Sequence, residues 1–107
     1  MRGRDFNKVV DRAIDRIKKT LASKGEEYSS SNDRLANFKM PCSIMDMNPA
    51  EVCLAYDMKH IASLSKIAKD ASKGVFPSDE MLAEKVQDYI NYGILFEAII
   101  TEMKKGE

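Results

Sequence analysis

From Arg4 to Ser23 the apolar residues Phe6, Val9, Val10, Ala13, Ile14, Ile17 and Leu21 return at steps of three and four, which lines them up on one helix face. The other face alternates in sign through Asp11, Arg12, Asp15, Arg16, Lys18 and Lys19, a spacing suited to ion pairs on an exposed surface. The pattern predicts a helix over about 4–23, with Gly25 as its C-terminal stop.

A second long helix is announced by its own chemistry at Met47-Asn48-Pro49-Ala50-Glu51-Val52. Asn48 suits the cap and Pro49 the first helical position, where its missing N–H costs nothing. Glu51 then completes a capping box, and Met47 with Val52 forms a hydrophobic staple. The helix is predicted over about 49–72, and its apolar residues spread over more than one stripe, which implies a central, two-sided element.

Lys73 to Pro77 reads as a connection, and Ser78-Asp79-Glu80 places a cap and two acids at the positive end of a third helix over about 79–103. Its middle, YINYGILFEAII, is apolar nearly all round. A domain of this size cannot easily cover such a helix, so a homo-oligomer through the 79–103 helix is expected, the alternative being a monomer with a hydrophobic third helix. Between the first and second helices, KGEEYSSSNDRLANFK carries capping residues for a short helix over about 32–38, with Leu35 and Phe38 as its anchors. The fold class is therefore all-α: one domain of three long helices and a short one, a helical bundle completed by oligomerisation.

The 107 residues are 44% hydrophobic and 32% charged, the balance of a folded soluble chain. Seventeen basic and seventeen acidic residues cancel, so neither direct nucleic-acid binding nor a membrane-surface role is expected. The cancellation is uneven along the chain. Residues 1–24 hold eight Lys or Arg against three acids, while 74–107 hold three Lys against seven acids, which favours packing of the two ends side by side. Two cysteines without a paired framework, and no apolar run long enough for a leader or a membrane span, make the expected compartment the cytoplasm.

Three constellations carry candidate chemistry. Glu84, Asp88 and Asn91 share a stripe of the third helix at i, i+4 and i+7, where carboxylates can hold Mg²⁺ through oxygen and leave room for phosphate oxygens. An ordinary solvated edge has the same spacing, but Asp88 and Asn91 interrupt the most apolar part of the chain and there need partners. On the second helix Lys59 adjoins His60, the one histidine. Lys59 and Lys66 share a stripe that can approach phosphate oxygens, although for Lys66 and Lys69 a surface ion-pair face is the favoured reading, and a lone histidine with Cys53 seven residues away makes no zinc motif. The third constellation is Lys24, Glu26, Glu27 and Tyr28 at the end of the first helix, placed to close over a ligand between the other two.

Together KGEEY, NDRLANFK, YDMKHIAS and QDYINYGIL resemble a family of small, mostly phage- and prophage-encoded helical proteins, over most of the chain from Lys24 onward. That family is distantly similar to the all-α nucleoside triphosphate pyrophosphohydrolases of the MazG and dimeric dUTPase type, in which helix carboxylates hold Mg²⁺ and a metal-activated water attacks the phosphate chain. The resemblance implies a nucleotide-phosphate pocket built by Glu27, Asp57, His60, Glu84, Asp88 and Asn91 with Lys59 on a phosphate, and Mg²⁺ held by Glu84, Asp88 and Asp57. The chain departs from the E-E-x-x-E and E-x-x-D pattern at Ser30, which stands where the third Glu belongs, and in the four-residue step from Glu84 to Asp88. Two functions are carried forward. One is nucleotide-phosphate binding or Mg²⁺-dependent pyrophosphohydrolysis; the other is a non-catalytic helical protein, such as a phage anti-defence factor in the host cytoplasm that sequesters a nucleotide or inhibits a host protein.

Overall fold

A computed structural model describes residues 1–27 and 33–106, the side chains of residues 22–27 excepted. The expected contributions of Lys24, Glu26, Glu27 and Tyr28, and the start of the predicted short helix, lie outside the described side chains. The rest is all-α: α1 (Gly3–Glu27), α2 (Ala36–Lys39), α3 (Cys42–Met45), α4 (Pro49–Ala71) and α5 (Asp79–Lys104).

The start of α4 is held as its sequence requires. Asn48 Oδ1 accepts from the Glu51 N–H at 2.9 Å, and Glu51 Oε1 accepts from the Asn48 N–H at 3.0 Å. Ser78 Oγ accepts from the Met81 N–H at 3.1 Å, which satisfies one of the orphan donors at the start of α5. Between α4 and α5 the chain reverses at Gly74, whose φ of +77° is a left-handed conformation that a side chain would strain. The N–H groups of Gly74 and Val75 close this turn on the carbonyls of Ala71 and Asp70, each at 3.0 Å.

Helices α4 and α5 form an antiparallel hairpin, α1 packs on α5, and α2 packs on α4. Gln87 Nε2 donates to the Arg16 carbonyl at 3.0 Å, and further along Leu21 lines the same cleft as Asn91, Tyr92 and Leu95. Helix α1 therefore runs parallel to α5, and the oppositely charged ends of the chain lie together. The long helix shared by both neighbours is α5, in place of the central role expected for α4. Helix α4 is two-sided only in its first half, where α2 joins it.

The core comprises Leu35, Phe38, Ala50, Val52, Cys53 and Ile99, with Cys42, Met47, Tyr92, Leu95 and Phe96 packed around it. It draws on the first half of α4, the second half of α5 and the α2 segment. Met47 joins the cluster that Val52 anchors, as a staple requires. Asp33 fixes the entry to α2: its Oδ1 accepts from the Leu35 N–H at 2.9 Å, while Oδ2 pairs with Lys39 at 2.6 Å. Lys39 reaches on to Glu102 at 2.5 Å and so ties α2 to the end of α5. These bonds hold the Asp33 carboxyl below its ordinary range and the Lys39 ammonium above its own, Lys39 being the first cause for Asp33 and Asp33 for Lys39.

Two boundaries differ from the sequence reading. Helix α1 passes through Gly25 to Glu27, because glycine permits a stop without imposing one. The predicted short helix is confined to Ala36–Lys39 and followed by a second one, α3, ended by Asp46 in the left-handed region at φ +52°.

Candidate functional site

Where α2, α4 and α5 meet, with Leu21 of α1 at the edge, they leave an open cleft of about 1000 Å³. Phe38 builds its inner wall. Its ring lies 6.0 Å from Tyr56 of α4 and 6.0 Å from Tyr92 of α5, the latter edge-on at 88°. Tyr92 in turn carries His60 on its face at 4.7 Å. This continuous aromatic surface follows from placing Phe38 of the short α2 between two helices that present a tyrosine each. Edge-on and tilted contacts of this kind stabilise aromatic clusters beyond simple burial.

Above it stand the polar groups. His60 Nδ1 is 3.9 Å from Asp88 Oδ2, too long for a hydrogen bond and an ion pair only when the imidazole is protonated. His60 Nε2 is buried without a partner, and so are both polar atoms of the Asn91 carboxamide, in a residue only 2% exposed. Leaving such groups unpaired costs about 1–3 kcal/mol each, so a buried amide with neither end satisfied is expensive for folding alone. Asn91 and His60 both line the cleft, along with the exposed cations Arg34 and Lys59. Asp88 is the one acid lining it among the described residues, so its rim carries more positive than negative charge.

Four of the residues expected at a site, Lys59, His60, Asp88 and Asn91, are thus brought together. The expected metal trio is not. Glu84 is exposed one turn before Asp88 and lies off the cleft, and Asp57 is buried on the α4 face beside Cys53 and Val52. Among the described residues no group of three or more His, Cys, Asp or Glu is placed to hold a metal ion. A step of four leaves Glu84 a full turn from Asp88, and it is Asp88 that approaches α4, 3.9 Å from His60 Nδ1. Lys66 pairs with Asp70 at 2.8 Å, in keeping with the surface ion-pair face favoured for it, and does not line the cleft.

Burial raises the Asp57 carboxyl above its ordinary value against the opposing influence of His60, and its Oδ1 has no partner. One turn earlier, burial pushes the Cys53 thiol up to about 11, with Asp57 adding to it. Its Sγ–H donates to the Tyr92 carbonyl at 3.8 Å. A thiol held protonated and inside the core is packing material, and no nucleophile at neutral pH.

Sequence reasoning passed over Arg34, Asn37, Tyr56 and Tyr92 as site residues, although all four line the cleft. Arg34 and Asn37 fall three apart in RLANF, and that helical spacing was the available signal for a shared edge. Gln87 was overlooked as well; its partner, the Arg16 carbonyl, lies 71 residues away in the chain, beyond the reach of any local pattern. Set against protein-family models, curated proteins and solved structures, the chain has no significant match, so its functional reading rests on this cleft.

Proposed function

We propose that the cleft binds a nucleotide or a closely related phosphorylated aromatic compound. The observation that carries this reading is the Asn91 carboxamide, buried in the cleft wall with its donor and its acceptor both unpaired. A ligand that supplies one acceptor and one donor, as a nucleobase edge does, relieves that cost on binding. Arg34 and Lys59 at the rim suit phosphate oxygens, Arg34 through a two-pronged contact and Lys59 as a point charge. Tyr56 and Tyr92 offer ring surface to a base, and His60 Nε2 offers a further polar contact.

Binding without hydrolysis is the favoured form. Metal-assisted phosphate chemistry needs several oxygen ligands around Mg²⁺, and Asp88 stands in the cleft without Asp57 or Glu84 beside it. A role in sequestering a nucleotide also agrees with the resemblance to small phage-encoded helical proteins. Inhibition of a host protein is the competing role, and the cleft's buried polar groups favour the ligand. No helix among the described residues is long and apolar enough to cross a membrane.

The reading is tested by titrating the protein calorimetrically with a panel of nucleoside mono-, di- and triphosphates and cyclic dinucleotides, in EDTA and again with Mg²⁺, while following phosphate release. Saturable binding of at least one member in EDTA, without turnover, is the expected result. Turnover in Mg²⁺ would replace binding with hydrolysis, and no binding across the panel would sink the proposal.

A further inference from the structure

The molecule has a second unfinished surface, and it lies at the opposite end of the bundle. The first twelve residues are all exposed, and no residue from Met58 to Val86 is fully buried. Phe6, Val10 and Ile14 continue the stripe that packs on α5 further along α1, yet they remain 58%, 37% and 43% exposed. Because α1 runs parallel to α5, this bare half lies toward the start of α5 and the end of α4. Ile61 of α4, Leu82 of α5 and Phe76 between them are exposed there too, at 43%, 42% and 72%.

The size of the deficit points to the occupant. A folded monomer of 12.1 kDa is expected to expose about 6,000 Å², whereas this chain exposes 7973 Å². The surplus of about 2,000 Å² belongs to the whole chain, and the bare end contributes to it; a stable interface buries roughly 800 Å² per partner. The radius of gyration agrees: 16.3 Å against about 13 Å for a compact chain of this length.

Both charge signs occur at this one end of the bundle, which suits pairing with a copy of the same chain. The first twelve residues hold Arg2, Arg4, Lys8 and Arg12 against Asp5 and Asp11, and the first two turns of α5 hold Asp79, Glu80 and Glu84 against Lys85. A two-fold pairing sets the basic start of α1 in each copy against the acidic start of α5 in the other, and one such patch satisfies both.

We propose that this end of the bundle is a self-association surface, where α1 of one copy covers the bare apolar end of a second. The proposal is independent of the cleft reading. This end lies apart from an oligomer surface on the middle of α5, where Tyr89, Ile94 and Ile100 are exposed.

The test is sedimentation equilibrium of the wild-type protein and of the Phe6→Ser/Val10→Ser variant, with helicity followed by circular dichroism. Both side chains are exposed, so the variant keeps its helices. The wild type is expected at two or more chain masses and the variant at 12.1 kDa. A wild type that stays monomeric at 100 μM, or an assembly unmoved by the double change, overturns the proposal. A second variant, Arg12→Glu, is expected to weaken association at least tenfold and Arg12→Glu/Glu84→Arg to restore part of it; equal weakening by both would refute the pairing of α1 with α5.

Discussion

The two ends of the bundle are built from the same three long helices and solve opposite problems. At the cleft end, residues from α2, α4 and α5 close a core in which Val52, Cys53 and Ile99 are at most 2% exposed. At the other end α1, α4 and α5 bury no residue completely. The difference comes from the short α2: Phe38 fills the space between Tyr56 and Tyr92, and among the described residues the far end has no equivalent plug. Burial depends on a third surface arriving, and an amphipathic stripe in the sequence cannot say whether that surface belongs to the same chain. The cleft end spends its completeness unevenly, with a tight apolar layer below and unsatisfied polar atoms above, and the proposed ligand-binding role rests on that unevenness.

The largest expected effect breaks the comparison at its strong end. Phe38→Ala should cost about 3–5 kcal/mol, because it removes a fully packed ring from between two helices. Phe6→Ala, measured in urea at a concentration low enough to keep the protein monomeric, should stay within about 0.5 kcal/mol. Comparable losses from both would mean that the far end is packed after all.

Asn91→Leu separates site from scaffold. An amide that served folding would be missed, whereas one held unpaired for a ligand should be replaced at no cost, and a gain of about 1 kcal/mol is expected in thermal or urea unfolding. At the entrance to α4, Asn48→Ala should lose about 1 kcal/mol by removing the side-chain half of the capping box. That loss should be readable as faster amide exchange in the first turn.

The smallest effect is a pH slope. Asp57 has its carboxyl raised by burial from an ordinary 3.8, so between that value and its folded pKa the native state binds more protons than the unfolded chain. Stability contributed by the protonated form is therefore lost as pH rises through that window. Asp33 works in the other direction: lowered by Lys39, it contributes stability above its ordinary value that is lost as pH falls through its folded pKa. Asp57→Asn should flatten the first slope and leave the second in place, as followed by urea midpoints between pH 3 and 7.

Much of the fold was legible in the sequence, and the legible parts are the local ones. Asn48, Pro49, Glu51 and Ser78 placed the starts of α4 and α5 because capping is decided within four residues. The stripe from Phe6 to Leu21 identified α1 but gave no notice that its first half stays bare. The site was legible in part. Lys59, His60, Asp88 and Asn91 were recognised as polar residues bordering apolar surface, and they converge. Of the residues expected to hold a metal, Asp88 lines the cleft while Glu84 and Asp57 do not, since sharing a stripe is weaker than sharing a point. Arg34 and the two tyrosines joined the site through the placement of α2, a non-local event.

The cleft proposal turns on whether the unpaired Asn91 amide is held for a ligand. The most direct test is a calorimetric titration, in EDTA, of wild type and Asn91→Leu with whichever nucleotide of the panel binds best. Saturable binding to the wild type is expected, with affinity at least tenfold weaker in the variant, a loss of about 1.4 kcal/mol or more, from a protein no less stable. Unchanged affinity in Asn91→Leu would contradict it.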